Sequence, residues 1–304
     1  MPALVVIIAT SGRSDLLRRT LESLGKCSLP PGFAETIVVE NGPASGAKQI
    51  VESGPAELKL RYLYFAQGNK SAALNAALKT LGDCLIFFTD DDVRVDGAVL
   101  TAYAQAAAAR GPGHFFGGPV GADYESPPPQ WLLNYLPRSA TGWEAPADNL
   151  PQASHEFLGF NWAAFSSDLH EAGGFNPNRG PGAPSGSTGQ ESDMQRRLVG
   201  RGVRSVYVPG ARVWHYVPPD RCSPQWAIER AYRHGVEEGT KWAHLKSRFP
   251  GLLPRRVVRR RLVGLAKSIL WFMCPDAKVR FRARYRLSFD RGLIHGWRHQ
   301  TGAK

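Results

Sequence analysis

The chain has 304 residues, 43% hydrophobic and 21% charged, which suits a globular protein with a substantial core and excludes a disordered or fibrous chain. Its formal net charge of +12 is unevenly placed: residues 251–304 hold 14 Lys/Arg against 2 Asp/Glu, whereas the preceding 250 hold 24 of each. Four cysteines without CxxC spacing argue against a zinc site or a disulfide framework, and no apolar run approaches the roughly 20 residues that span a bilayer.

Ala3–Ala9 is a continuous apolar run rich in β-branched residues, without the basic lead and cleavage site of a signal peptide. It reads as a strand buried on both faces. Thr10–Arg13 follows as a loop, and Ser14 or Asp15 caps a helix to about Leu24 with Leu16, Leu17, Thr20, Leu21 and Leu24 on one face. Glu35–Glu40 is a second strand, Leu60–Phe65 a third, Gly68–Leu81 a loop and alanine-rich helix, and Asp83–Thr89 a fourth strand. This alternation predicts βαβ units on a parallel sheet, whose ligands sit at the carboxyl ends of the strands. Ala98–Arg110 is a further helix, and residues 111–151 read as irregular, with exposed Trp131 and Trp143. Phe157–Phe165 reads as a strand and Asp168–Ala172 as a short helix. The Gly-, Pro- and Ser-rich residues 176–190 read as a lid or binding loop. Glu191–Val199 is a helix; Ser205–Pro209 and Ala211–His215 are strands.

Three polar clusters therefore meet at one sheet edge: Thr10–Arg13, Glu40-Asn41, and the triplet Asp90-Asp91-Asp92. Three adjacent anions repel, and a divalent cation would give a reason to collect them, since carboxylate oxygens suit Mg²⁺ or Mn²⁺. The competing reading is a solvated acidic turn. Alternation along an extended segment sends Asp90 and Asp92 one way and Asp91 the other.

Taken in order, these pieces resemble the family 2 inverting glycosyltransferases of the bacterial envelope and exopolysaccharide type. Val5–Arg13 is similar to the family's opening strand and loop, keeping Thr10 and Arg13 but replacing a tyrosine and an asparagine with Ser11 and Gly12. Ile37–Gly42 resembles the second strand, Gly68–Asn75 the segment beside the donor, and Thr89–Asp92 the DxD motif. Gly189–Leu198 resembles the acidic segment and Val213–His215 the late histidine. The resemblance covers roughly residues 3–240. It implies an α/β GT-A fold, a mixed sheet flanked by helices, with a C-terminal basic helical extension. The domains would be 1–245, with a nucleotide-binding half 1–110 and an acceptor half 111–245, and the extension 246–304.

The resemblance further implies nucleotide-sugar contacts from Thr10, Arg13, Glu40, Asn69, Lys70, Asn75, Asp90 and Asp91. It implies a Mn²⁺ or Mg²⁺ site at Asp92 first, then Asp90, with His215 as third ligand through a neutral imidazole. Asp91 points away from the ion. Glu191 takes the place of the family's catalytic aspartate as general base, one methylene longer and preceded by Gln190; Asp193 is the second candidate. The expected reaction moves one sugar from a UDP-sugar to a hydroxyl of a glycan or lipid-linked acceptor. Trp131, Trp143 and Trp162 either stack on sugars or pack in the core or a lid. A nucleotidyltransferase acting on sugar phosphates and a non-catalytic glycan- or membrane-binding protein are the alternatives.

The basic segment stands apart. Arg255–Met273 is basic and then amphipathic, and Arg280, Arg282, Arg284 and Arg286 alternate beyond it. Residues 255–286 are expected to meet an anionic membrane surface, with the protein cytoplasmic and peripheral at the inner face of the membrane. Packing against the domain is the competing reading. No nucleic-acid-binding motif accompanies the arginines.

Overall fold

The N-terminal apolar run forms β1 (Leu4–Thr10), every residue of it buried. A computed structural model of the chain describes residues 1–145, 156–184, 189–242, 258–259, 262, 265–266, 271 and 274–301. β1 lies parallel between β2 (Phe33–Asn41) and β4 (Leu85–Asp90), and β3 (Leu60–Phe65) extends the sheet beyond β2. On the far side of β4 lie β8 (Trp162–Phe165), β6 (His114–Gly117) and β9 (Arg204–Tyr207). The seven-stranded order is β3-β2-β1-β4-β8-β6-β9, with β8 antiparallel to both neighbours. The chain reverses its direction of sheet growth between β1 and β4, so their carboxyl ends form a crevice at a topological switch point.

Helices cover both faces, as continuous apolar strands require. One face packs on α1 (Ser14–Gly25), α2 (Ala47–Glu52) and α4 (Val99–Arg110). The other packs on α3 (Lys70–Leu78), α6 (Ser166–Glu171) and α7 (Gln190–Gly200). A second sheet joins β5 (Val93–Val95), β10 (Val213–Val217) and β7 (Val120–Tyr124), with β10 in the middle. A one-turn helix, α5 (Arg138–Thr141), contacts β7 and β10.

The chain divides into two compact units, Met1–Tyr124 with Pro137–Val217, and Glu125–Leu136 with Pro218–Lys304. The second is built on α8 (Pro224–Lys241) and α9 (Ala277–Thr301). Their backbones touch at glycines. A Cβ on Gly235 would strike Phe289 O, on Gly239 Leu293 O, on Gly292 Tyr232 O and on Gly296 Val236 O. Sequence reading placed α8 with the first region; it packs on α9.

Several expectations need correction. Residues 111–124 are not irregular: they supply β6 and β7, and Phe115 and Phe116 are fully buried. Trp131 and Trp143 are half-buried rather than exposed; Trp131 packs edge-on to Phe281 within the second unit. The strand expected from Phe157 begins only at Trp162, because the chain turns at Leu158–Asn161, where Thr89 Oγ1 donates to Phe160 O. Trp162 is a core residue, stacked on Phe88 at 4.8 Å between ring centres, so it offers no face to a sugar. Most of Arg255–Met273 lies outside the described residues. No helix among the described residues is long and apolar enough to cross a membrane.

Trp162→Ala should therefore cost about 3–5 kcal/mol of unfolding free energy in a urea titration, the range for emptying a large aromatic site. A substrate-stacking role would instead leave stability nearly unchanged.

Candidate active site

The aspartate triplet ends β4 and starts the turn into β5. The turn is pinned on both sides: Tyr216 N donates to Asp92 O at 2.8 Å, and Thr20 Oγ1 exchanges hydrogen bonds with the backbone of Val93. β10 runs antiparallel to β5 with His215 opposite Val93. That register, from residues more than a hundred positions apart, brings the histidine beside Asp92.

Each carboxylate faces a different partner. Asp91, fully buried, accepts from Thr10 Oγ1 at 2.6 Å and Arg13 Nε at 3.2 Å, and its other oxygen pairs with Arg13 Nη2. Burial pushes its pKa up to about 6 against the pull of Arg13 and Thr10. Arg13 Nη1 donates to Asp92 Oδ2 at 2.5 Å, so one guanidinium bridges two aspartates. Asp90 pairs with Lys70 Nζ. Burial would raise the Asp90 carboxyl, but Lys70 outweighs it and holds the group below the usual carboxylate range.

Asp92 Oδ1 is buried without a hydrogen-bond partner, and His215 Nε2 stands 3.6 Å from it. His215 Nδ1 lies 2.9 Å from Ser139 O, which can only accept, so Nδ1 carries the proton. In a neutral imidazole Nε2 would then turn a lone pair toward the uncovered carboxylate oxygen, an arrangement that suits a cation. The imidazole ring is held flat against Phe160, 4.7 Å between centres. Asp90 does not join this pair, and among the described residues no three His, Cys, Asp or Glu side chains converge. The pair can offer a divalent cation one carboxylate oxygen and one imidazole nitrogen, leaving substrate phosphates to complete its shell.

Glu40 is buried at the end of β2. One oxygen accepts from Ser45 N at 2.6 Å and Ser45 Oγ at 2.7 Å, the other from Tyr62 Oη at 2.5 Å. Despite burial, these bonds hold its pKa below the usual range. Asn69 caps α3 by accepting from Ala72 N and donates to Pro177 O. Asn75, expected at the donor, has both ends of its amide on Phe175: it donates to Phe175 O at 2.8 Å and accepts from Phe175 N at 2.7 Å. Its place is in the scaffold. Residues 176–184 of the predicted loop lie along the start of α3, with Lys70 N donating to Pro181 O and Ser71 Oγ to Arg179 O. Gly182 is required there, because a Cβ would strike Gly68 O.

The two base candidates differ sharply. Asp193 is held by Arg197 Nε at 3.0 Å and Arg179 Nε at 3.2 Å. Arg197 also donates to Ala172 O and to Gly174 O, tying α7 to the turn before the loop. Glu191, half-buried in the first turn of α7, has no ion pair among the described residues. Burial raises its pKa, its own backbone N–H and nearby Lys70 oppose the rise, and Asp90 adds to it. Glu191 thus stands in the electrostatic neighbourhood of the Lys70–Asp90 pair. Its side chain fills the space a Cβ would take at Gly159, 2.9 Å from Glu191 Cγ.

Sequence reading missed Arg179, Arg197, Phe160, Gly159 and the Ser139 carbonyl. The Asp193/Arg197 spacing of i,i+4 was a usable helix signal; a backbone carbonyl that fixes a tautomer leaves none.

A family model described as "Glycosyltransferase like family 2" matches residues 2–234. The succinoglycan biosynthesis protein ExoM of Rhizobium meliloti (strain 1021) is 27% identical over 93% of this chain and 89% of its own. Among solved structures, the mannosyltransferase PcManGT of Pyrobaculum calidifontis, in complex with GDP-Man and Mn²⁺, superposes with a TM-score of 0.60 at 18% identity. That match covers 97% of this chain and 87% of the mannosyltransferase. S. aureus TarS 1–349 in complex with UDP-GlcNAc gives 0.53 at 16% identity, covering 98% of this chain and 92% of TarS.

If Asp92 and His215 are the ion's protein ligands, Asp92→Asn and His215→Ala should each weaken Mn²⁺ binding by about tenfold or more. Electron paramagnetic resonance in the presence of a nucleoside diphosphate reads this without turnover. Asp90→Asn should weaken binding less.

Proposed function

The chain belongs to the family 2 glycosyltransferases, and on that premise we propose that it is a metal-dependent inverting enzyme with Glu191 as its general base. It transfers one sugar from a nucleotide-diphosphate sugar, a UDP-sugar first among the candidates, to a hydroxyl of a glycan or lipid-linked acceptor. The observation that carries the reading is the contrast in α7: Glu191 has no ion-pair partner among the described residues and a raised pKa, while Asp193 is fastened by two arginines.

In the proposed reaction the acceptor oxygen attacks the anomeric carbon from the face opposite the diphosphate. Glu191 takes the hydroxyl proton as the new C–O bond forms, the bond to the diphosphate oxygen breaks, and the nucleoside diphosphate leaves. Asp92 and His215 would hold Mg²⁺ or Mn²⁺, which supplies charge neutralisation to the leaving diphosphate. Arg13 and Lys70 are the protein's own cations beside that place, and each now rests on an aspartate. The burial that raises Glu191 also makes it a better proton acceptor near neutral pH. The relatives with bound donors carry a guanosine and a uridine nucleotide, so a donor screen should include both. The basic C-terminal segment supports a peripheral position at the inner face of an anionic membrane, where a lipid-linked acceptor would be met.

Nucleotide sugars incubated with the enzyme, Mn²⁺ and an acceptor should release a nucleoside diphosphate; release of pyrophosphate would favour a nucleotidyltransferase. Glu191→Gln should lower kcat by about 10²–10⁴-fold, and Asp193→Asn by clearly less, with its main effect on thermal stability. Retention of full transfer by Glu191→Gln would sink the assignment. A base works deprotonated, so a raised pKa places the acidic limb of kcat at a higher pH than an ordinary glutamate gives. Rates measured from about pH 4 to about pH 9 locate that limb.

A further inference from the structure

We propose that the outer ridge of α9 is a docking surface for an anionic lipid bilayer. This deepens the peripheral placement above and rests on it. The alternating arginines of the sequence do not act alike. Arg282 donates to Tyr135 Oη at 3.0 Å, Arg286 lies over the Trp271 ring, and Arg280 donates to Cys274 O at 3.1 Å and Pro275 O at 2.8 Å, so these three exposed arginines are engaged within their own unit. Arg284, Arg291 and Arg298 are exposed and recur at spacings of seven. At 3.6 residues per turn they fall within about 40° of one another, in a line about 21 Å long. Leu287 and Ile294, half-buried, continue the same line between them.

The packing residues of α9 lie off this line. Phe281, Ala283, Gly292, Leu293, Gly296 and Trp297 are buried. The only acid of the helix, Asp290, is buried too. Arg284 and Arg291 form no ion pair with any described carboxylate. Stability gives no reason to line up like charges on one side of a helix; an anionic partner does.

A bilayer suits the mixture better than a linear polyanion. Arginines interleaved with aliphatics can set their stems in the interface and their guanidinium groups among phosphates. A second feature points the same way. Val258, Leu262 and Leu265, also in the C-terminal segment, are exposed, as is Arg259. Exposed apolar residues next to basic ones are the composition of an interfacial segment.

The test is sedimentation of the full chain with large vesicles, either pure phosphatidylcholine or containing about 30 mol% phosphatidylglycerol. Binding is expected to the anionic vesicles alone and to weaken strongly at about 0.5 M NaCl. Arg284→Glu with Arg291→Glu should weaken it by about tenfold or more. Arg282→Glu with Arg286→Glu changes net charge equally and should weaken it less. Circular dichroism reports whether each variant keeps its helices; if either glutamate pair melts, Arg284→Gln with Arg291→Gln and Arg282→Gln with Arg286→Gln give the same ranking. Absence of binding to anionic vesicles, equal loss from ridge and off-ridge variants, or tighter binding to soluble heparin than to vesicles would overturn the proposal. Nucleotide-sugar turnover without lipid is a separate readout, so failure here leaves the transferase reading standing, and the reverse.

Discussion

Three carboxylates on consecutive residues repel one another at the end of a buried strand unless cations and donors come to meet them. Lys70 from the start of α3 meets Asp90, Arg13 from the loop after β1 meets both Asp91 and Asp92, and His215 of β10 faces the remaining Asp92 oxygen. The triplet therefore ties together three stretches that the chain folds separately. Arg13 is the most constrained, since it spans Asp91 and Asp92 at once. Its hold on Asp92 Oδ2 leaves Oδ1 turned toward the histidine. The uncovered oxygen is thus a product of the same contacts that stabilise the triplet, with no separate scaffold needed to aim it. Removing one member of such a buried set leaves the others uncompensated, which costs far more than an exposed pair.

Much of the sheet was legible because hydrophobic pattern and topology agree. β1 and β4 are continuous apolar runs, and such runs have few places to go except the middle of a sheet covered on both faces. The switch point followed from chain order, and with it the meeting of Thr10, Glu40 and the triplet. β5, β6 and β7 were not legible. A strand of three residues such as Val93–Val95 has no period to detect; what makes it a strand is the partner that arrives with β10. Trp162 shows a different limit. A tryptophan in an apolar segment is equally consistent with a core and with a sugar platform, and only the stack on Phe88 decides.

The candidate site divides along the same line. Residue types with formal charge were found, because charge at a strand end is conspicuous. What each charge faces was not found, because that depends on registers and turns far away in sequence. Asn75 carries the pattern of a ligand contact, yet its amide is spent on the backbone of Phe175. Asp193 carries the pattern of a base, yet two arginines hold it. In both cases the competing role was satisfaction of a hydrogen-bonding group inside the fold, which takes precedence wherever water is excluded.

Gly159 and Glu191 share one volume. The extra methylene of the glutamate, relative to the aspartate of the family pattern, occupies room that exists only because residue 159 has no Cβ. The two positions are therefore coupled in space: a side chain at 159 would push the glutamate aside, and a shortening at 191 would leave a gap.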